Sequence, residues 1–540
     1  MSFGQGWRSG VGRGCGAAFA LALAAGACER LPVADLLIVG GTVYDGSGGA
    51  PRAAAVVVQA GRIVSVGAEG RPARDTLDAT GLIVAPGFID MHSHAELEES
   101  WGRDGLPVLT QGITTVALGV DGAGVPEVGA LFRGLTDSTI GVNAFTYVGH
   151  GTIRRRVMGM ANRAPGPEEL AAMKALVRQG MEQGAVGLST GLFYTPGTYA
   201  ATEEVIELAK VAAEYSGIYD THDRDLGAAY PGVGYDNSVK EAIRIGEESG
   251  SRVIFSHFNP QGARNYGRAH VGAELIEAAR ARGVDVRAAQ HPYTATQSNL
   301  RSYTIPDWAA SGGDTALVRR FDDSDTVRVI ERETLEMLAI RGGPEKLLFA
   351  DPRPELNGRT LAQVAEGWGI PAPEAACRIL RDGNAAVMNL DLYDAANTRF
   401  LAREPWMMTC TDGRTPAPGQ KVTHPRVFGA FSKKLRDFVI DDTVITMTAA
   451  VRSMTGLAAD FLGLPDRGYL RAGQAADIAV LDSARIRDRA TYEDPSQASE
   501  GTVHVLVNGR FAIRDGKPAD VTAGRVLRRR ADWTARGGPR

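Results

Sequence analysis

Eight short apolar runs, each ending on a side chain able to do chemistry, constrain the fold of this chain more than any other feature. They are LIVAPGFIDMHSH (82–94), GITTVALGVD (112–121), GVNAFTYVGH (141–150), GAVGLST (184–190), GIYDTH (217–222), RVIFSH (252–257), VDVRAAQHPY (284–293) and WMMTCTD (406–412). Their terminal residues are His92/His94, Asp121, His150, Ser189/Thr190, His222, His257, His291/Tyr293 and Asp412. Segments of helical pattern separate them. In TEEVIELAKVAAEYSG (202–217) Thr202 is placed to cap a helix, Glu203 and Glu204 suit its first turn, and Gly217 can stop it. GAELIEAARARG (272–283) is a second such helix. Strands alternating with helices predict a parallel sheet with crossover connections. Eight of them predict a TIM (β/α)8 barrel, whose active site lies at the C-terminal ends of the strands.

The flanks read differently. Residues 34–85 and 467–515 are short β-runs broken by Gly-rich turns, such as DLLIVGGTVYDGSG and VHVLVNGRFAIRDG. The expected organisation is a small β-sandwich built from both chain ends (28–85 and 461–540) around a barrel over 86–460. The stretch of about 300–405 breaks the barrel rhythm and is expected to be an inserted lid subdomain.

The N-terminus has the three-part layout of a secretory signal: Arg8 and Arg13, an apolar stretch too short to span a bilayer, then AGAC. A signal peptide over 1–27 is expected. Cys28 resembles the lipidated cysteine of a bacterial lipoprotein, although such boxes carry Leu where Ala25 stands. The expectation is an exported, periplasmic, membrane-anchored lipoprotein with Cys28 as the lipid anchor. Besides Cys28, the mature chain has only Cys377 and Cys410, which excludes a disulfide scaffold. A net charge of −4 with interspersed signs argues against a nucleic-acid partner. The basic C-terminal run GRVLRRRADWTARGGPR reads as a solvated tail.

His92 and His94 are i and i+2 on a strand and therefore face the same way. H-x-H alone is a weak signal. His222 and His257 end the fifth and sixth runs, however, and Asp412 ends the eighth. Four imidazoles and a carboxylate converging on a barrel mouth suit Zn2+ or a similar divalent ion. No dinucleotide G-x-G-x-x-G occurs in strand–helix context, and Ser189, although GLSTG (187–191) matches G-x-S-x-G letter for letter, is not read as a nucleophile elbow.

On the motifs PGFIDMHSH, QGITTVALG, GHGTIRRRVMG, GAVGLSTGLFYTPGTYA, GIYDTHDRD, SHFNPQG, QHPYTA, TDG and HPRVFGAFSKKLRD, the chain resembles the amidohydrolase superfamily, and within it the N-acyl-D-amino-acid deacylases. The resemblance runs from about residue 34 to 515. It implies metal-dependent hydrolysis of an amide, with one or two Zn2+ ions. His92 and His94 would hold one metal position, His222 and His257 the other, and Asp412 would be both ligand and general base and acid.

Two departures matter. Where those deacylases carry a metal-contacting cysteine after the second strand, this chain has Asp121. A carboxylate can bridge two cations, so Asp121 is assigned as a ligand; the alternative is a turn Asp before Gly122. The lysine that helps hold the substrate carboxylate is replaced by Asn259, and a tyrosine in the same subsite by His291, while Thr296 can replace a serine. Arg426 persists and can clamp a carboxylate. Tyr194, Tyr293 and His150 are assigned near the substrate, with a structural role equally open for His150. His424 is read as positioning Arg426, and Arg224 with Asp225 as a local pair supporting His222. The expected substrate is a small amide bearing a carboxylate, most simply an N-acyl (D-)amino acid. A dipeptide-like or cyclic amide is the alternative, and an inactive binding protein on the same fold is the reading from a different class.

Overall fold

The computed structural model describes residues 6, 33–67, 71–418, 420 and 423–530. Apart from residue 6, the expected signal peptide and Cys28 lie outside them. The barrel strands are β1 (Phe88–Asp90), β2 (Ile113–Leu118), β3 (Asn143–Thr146), β4 (Gly187–Gly191), β5 (Ile218–His222), β6 (Arg252–Phe255), β7 (Val286–Gln290) and β8 (Met407–Thr409). Each pairs in parallel with the next in sequence; β3 reaches β4 through its continuation Val148–Gly149. The ring closes between β8 and β1. There Asp412 N donates to the His92 carbonyl at 2.9 Å and His94 N to the Gly413 carbonyl at 3.0 Å. β2, β4, β5 and β7 are buried at every position. Burial on both faces is why these runs show no strict apolar–polar alternation; the polar residues in them, such as Asp220 and Arg287, are buried as well.

Helices cover the outside. Helix Thr202–Glu214 begins one residue earlier than the sequence suggests: Ala201 is the N-cap, and Thr202, inside the helix, donates to Glu241 Oε1 at 2.8 Å. Helix Gly456–Leu462 closes the N-terminal end of the barrel. Arg252, the first residue of β6, donates to the Phe461 carbonyl, and Leu457 and Phe461 pack with Ile89, Phe145, Ile254 and Met408. The C-terminal run is not a free tail over its described part. Val526 bridges to Ala144 of β3, Leu527 joins the same apolar cluster, and Arg529 N donates to the Gly184 carbonyl at 3.0 Å.

The two chain ends share one seven-stranded sheet, in which Ile83–Pro86 pairs antiparallel with Ile478–Leu481. A four-stranded sheet from residues 34–78 faces it, and Leu36, Val56, Val84, Ile478 and Leu506 fill the space between. Pro86 and Phe88 are nearly adjacent, so the sandwich passes directly into β1.

The segment between β7 and β8 has its own core, including Leu317, Phe321, Ile330, Phe349 and Val387. It contains the long helix Ser324–Ile340 and a three-stranded antiparallel sheet, Thr296–Asn299, Ala386–Asn389 and Leu347–Phe349. Its local stops are legible: Thr360 and Gln363 form a reciprocal cap, side chain to backbone, at 3.2 and 2.9 Å. Cys377 and Cys410 are both buried, and no disulfide joins them to each other or to any described residue.

Candidate metal centre and substrate cavity

The predicted ligands meet at the C-terminal ends of the strands. His222 is the last residue of β5; the others lie just beyond their strands, in turns the backbone bends to accommodate. Asp121 has φ 55° and Asp412 φ 49°, a left-handed conformation that aspartate tolerates better than most residues. The Asp121 turn is pressed against β4: a Cβ on Gly122, itself at φ +74°, would lie 3.0 Å from Gly191 N. Ser189 ties the turn down, accepting from Gly122 N at 3.1 Å and donating to the Gly119 carbonyl at 2.6 Å. Asp121 is therefore a turn residue and a site residue at once; the two readings are not exclusive.

His92 Nε2 lies 3.4 Å from Asp121 Oδ1 and 3.5 Å from Asp412 Oδ1. His94 Nε2 lies 3.4 Å from Asp121 Oδ2 and 3.3 Å from Asp412 Oδ1. His222 Nδ1 is 3.5 Å from Asp121 Oδ1 and 2.7 Å from His257 Nε2. Three trios have their ligand atoms within 4.8 Å of one another: His92–His94–Asp121, Asp121–His222–His257 and His92–His257–Asp412. Asp121 belongs to two of them.

The donor set fits a borderline divalent cation, and the protein leaves it unsatisfied. His92 Nδ1 and Nε2, His257 Nδ1 and Asp121 Oδ1 are buried without a hydrogen-bond partner among the described residues. Such atoms are costly unless something meets them. Electrostatics agree. Burial raises the Asp121 and Asp412 carboxyls, but His92 and His222 around the first, and Arg426 and His257 around the second, hold both well below the usual carboxylate range. Burial works against a charged His92, yet Asp121 and Asp412 push it up to about 9. Burial and His222 push His257 down to about 3.

Behind Asp412 stands a second layer. Arg426 pairs with its Oδ2 and donates from Nη1 to His291 Nε2 at 3.2 Å. His424 accepts from Arg426 N at 3.1 Å on Nδ1 and donates from Nε2 to the Ala295 carbonyl at 3.0 Å, which fixes its tautomer. The expected contact between His424 and Arg426 is thus made through the Arg426 backbone N–H and not its guanidinium.

A cavity of about 710 Å3 opens above the ligands. His94, Asp121, His222, His257, Asp412, Tyr194 and Arg426 line its barrel side, and Thr296, Gln297, Ser298, Tyr303, Ala386 and Tyr393 close it from the inserted segment. The Tyr194 ring is 4.6 Å from His222. Four residues assigned to the substrate are not among its walls. Asn259 is buried and donates to Thr398 Oγ1 at 2.7 Å. Tyr293 donates to Asp488 at 3.1 Å. His291 lies behind Arg426, and His150 bonds Glu204 Oε1 at 2.9 Å. Arg224 and Asp225 do not pair with each other: Arg224 forks onto Glu241, and Asp225 accepts backbone N–H groups of Gly227, Ala229 and Gly234. Sequence reasoning missed Phe193, which stacks on His222 at 5.5 Å and 21°, and Gln297, which accepts from His424 N at 3.0 Å. Phe193 could have been found beside Tyr194 in GLFYTPG; Gln297 carries no signal of its own.

A parallel eightfold barrel with imidazoles and carboxylates gathered at its mouth defines the class: a metal-dependent hydrolase acting on carbon–nitrogen bonds other than peptide bonds. The chain belongs to the amidohydrolase family, whose model matches residues 75–513. It is 34% identical to a D-aminoacylase of Alcaligenes xylosoxydans xylosoxydans over 92% of this chain and 98% of that protein. An N-acyl-D-glutamate deacylase from Bordetella bronchiseptica, solved with zinc and a phosphonate inhibitor, superposes with TM-score 0.78 at 31% identity, covering 92% of this chain and all of the other. A D-aminoacylase structure described for its binuclear metal centre, with one-metal activation and second-metal attenuation, matches with the same TM-score, identity and coverage.

Proposed function

We propose that the protein removes the acyl group from N-acyl-D-amino acids, yielding a carboxylate and a free amino acid. The observation that carries this is the convergence of His92, His94, Asp121, His222, His257 and Asp412 under a single cavity, with buried atoms of His92, His257 and Asp121 left without a hydrogen-bond partner among the described residues. Similarity to three deacylases over nearly the whole chain supports the substrate class.

His92, His94, His222, His257, Asp121 and Asp412 would hold the zinc, with Asp121 shared between two positions. When bound there, the cation supplies Lewis-acid polarisation of the amide carbonyl and makes water more acidic. Asp412 is ionised at neutral pH and faces the cavity, so its carboxylate accepts the proton of the attacking water and hands it to the departing amine nitrogen. Arg426 holds that carboxylate in place and is itself a wall of the cavity, where an anionic substrate end can be met in competition with the Gln297 carbonyl that its Nη2 now faces at 3.5 Å. Tyr194 packs against His222 and excludes water from that side.

Turnover of N-acyl-D-, N-acyl-L- and dipeptide substrates by zinc-loaded protein tests the reading. Release of free D-amino acid is expected; cleavage confined to dipeptides or cyclic amides would replace it with the alternative substrate class. We also propose export with lipid attachment at Cys28, supported by the three-part N-terminal pattern. Fatty-acid labelling that survives Cys28→Ala would refute it.

A further inference from the structure

Arg341 is the most unusual charged residue outside the ligand set. It follows helix Ser324–Ile340 in the inserted segment and is 2% exposed. None of its three guanidinium nitrogens has a hydrogen-bond partner among the described residues. A buried, unpaired guanidinium is expensive, so a fold that keeps one must offset the cost by some other contact. Here the contacts are aromatic. The guanidinium carbon lies 4.1 Å from the Tyr303 ring centroid and 5.5 Å from that of Phe193. Burial lowers its pKa, with the charge held against that by Tyr303, Asp225 and Tyr194.

Both rings are walls of the substrate cavity. Phe193 stacks in turn on His222 and lies 6.4 Å from Tyr303. Tyr303 is anchored at its far end, its hydroxyl 2.7 Å from Thr296 Oγ1. A continuous stack thus runs from the inserted segment through Tyr303 and Phe193 to an imidazole of the metal centre. Guanidinium suits this place better than ammonium, because it is planar, weakly hydrated and stacks on aromatic faces.

We propose that Arg341 is a positioning residue: its guanidinium clamps Tyr303 and Phe193 into one rigid wall, and through Phe193 sets His222 and the width of the cavity for the substrate. The idea rests on the cavity being the active site, so its test uses two independent readouts.

The first readout needs no substrate. Cobalt-substituted protein reports ligand geometry at His222 through its visible absorption. Arg341→Met keeps the length and loses the charge and plane; it should shift that spectrum while metal stoichiometry stays constant. The second readout is kinetic. With a substrate the parent enzyme turns over, Arg341→Met should lower kcat/KM roughly tenfold, chiefly through KM. Tyr303→Leu should do the same, and the double variant should be little worse than either single one, because both remove one contact. Arg341→Lys should recover part of the loss. If Arg341→Met is folded with the parent's spectrum and KM, or if the two substitutions add fully, the proposal is wrong. Should Arg341→Met fail to fold, Tyr303→Leu and Tyr303→Phe decide: a spectrum and KM unchanged in both also overturn it. A parent enzyme inactive on every N-acyl-D-amino acid would refute the substrate reading alone and leave the spectroscopic test standing.

Discussion

The two walls of the cavity are built on opposite principles. The barrel wall takes its residues from strand ends fixed by a closed ladder of backbone hydrogen bonds; His92 and Asp412 even share one such bond across the closure, at 2.9 Å. The facing wall comes from the inserted segment, whose sheet of three short strands and surrounding helices has a separate core. On the first wall, chemistry is set by which residue ends a strand. On the second, it is set by how a subdomain leans on the barrel. Residues of the first should therefore fail steeply and singly, those of the second by degrees and together.

The sharpest break of that contrast is Asp412→Asn. It should cut kcat by roughly a thousandfold, while metal analysis finds the ions retained; rates near those of the parent would remove Asp412 from proton transfer. Asp121→Ala comes next. Loss of a shared ligand should weaken metal affinity by at least one to two orders of magnitude and lower the zinc bound per chain. Unchanged occupancy would leave Asp121 as a turn residue only.

Proton linkage supplies a third test of the barrel wall. His92 is pushed up to about 9 by Asp121 and Asp412, so it is protonated at neutral pH in the metal-free protein and must lose that proton to become a ligand. Metal affinity of the stripped protein should rise with pH, up to roughly tenfold per unit, and level off above about 9. Titrations in buffers of different ionisation enthalpy would show the released proton; uptake independent of pH would contradict it.

Arg426→Ala should raise KM roughly tenfold for a substrate with a carboxylate, and reduce kcat as well because Asp412 loses its partner. A KM that does not move would point to a neutral substrate. The smallest effect is expected at Asn259, which faces Thr398 and not the cavity. Asn259→Ala should cost about 1 kcal/mol of stability, read by thermal melting, with KM essentially unchanged.

The same contrast explains what was legible beforehand. The barrel, its eight strands and all six candidate ligands could be read because each ligand ends or shortly follows an apolar run, and strand ends converge by topology. The second layer could be read only where a motif carried it, as with Arg426 and His424. Asn259 is assigned to the substrate by the resemblance, and Tyr293 and His150 by standing at strand ends, but their side chains are directed toward Thr398, Asp488 and Glu204. Thr202 was placed one residue wrongly because helix ends depend on backbone geometry that a single good capping residue does not fix. Arg341, Gln297 and the docking of residues 525–529 had no periodic signal at all, since each depends on a long-range contact.

The sheet that joins Ile83–Pro86 to Ile478–Leu481 also says something about how this chain comes into being. A strand made early must wait for a partner made near the end of synthesis, and the ring of strands lies between them. Until that partner arrives, the early hairpins carry an open edge, which is an invitation to pair with another molecule. Contacts this distant in sequence are also slow to form. The protein thus has a built-in requirement for completeness: a chain cut short of residue 478 keeps every metal ligand and lacks the strand that covers the edge beside β1.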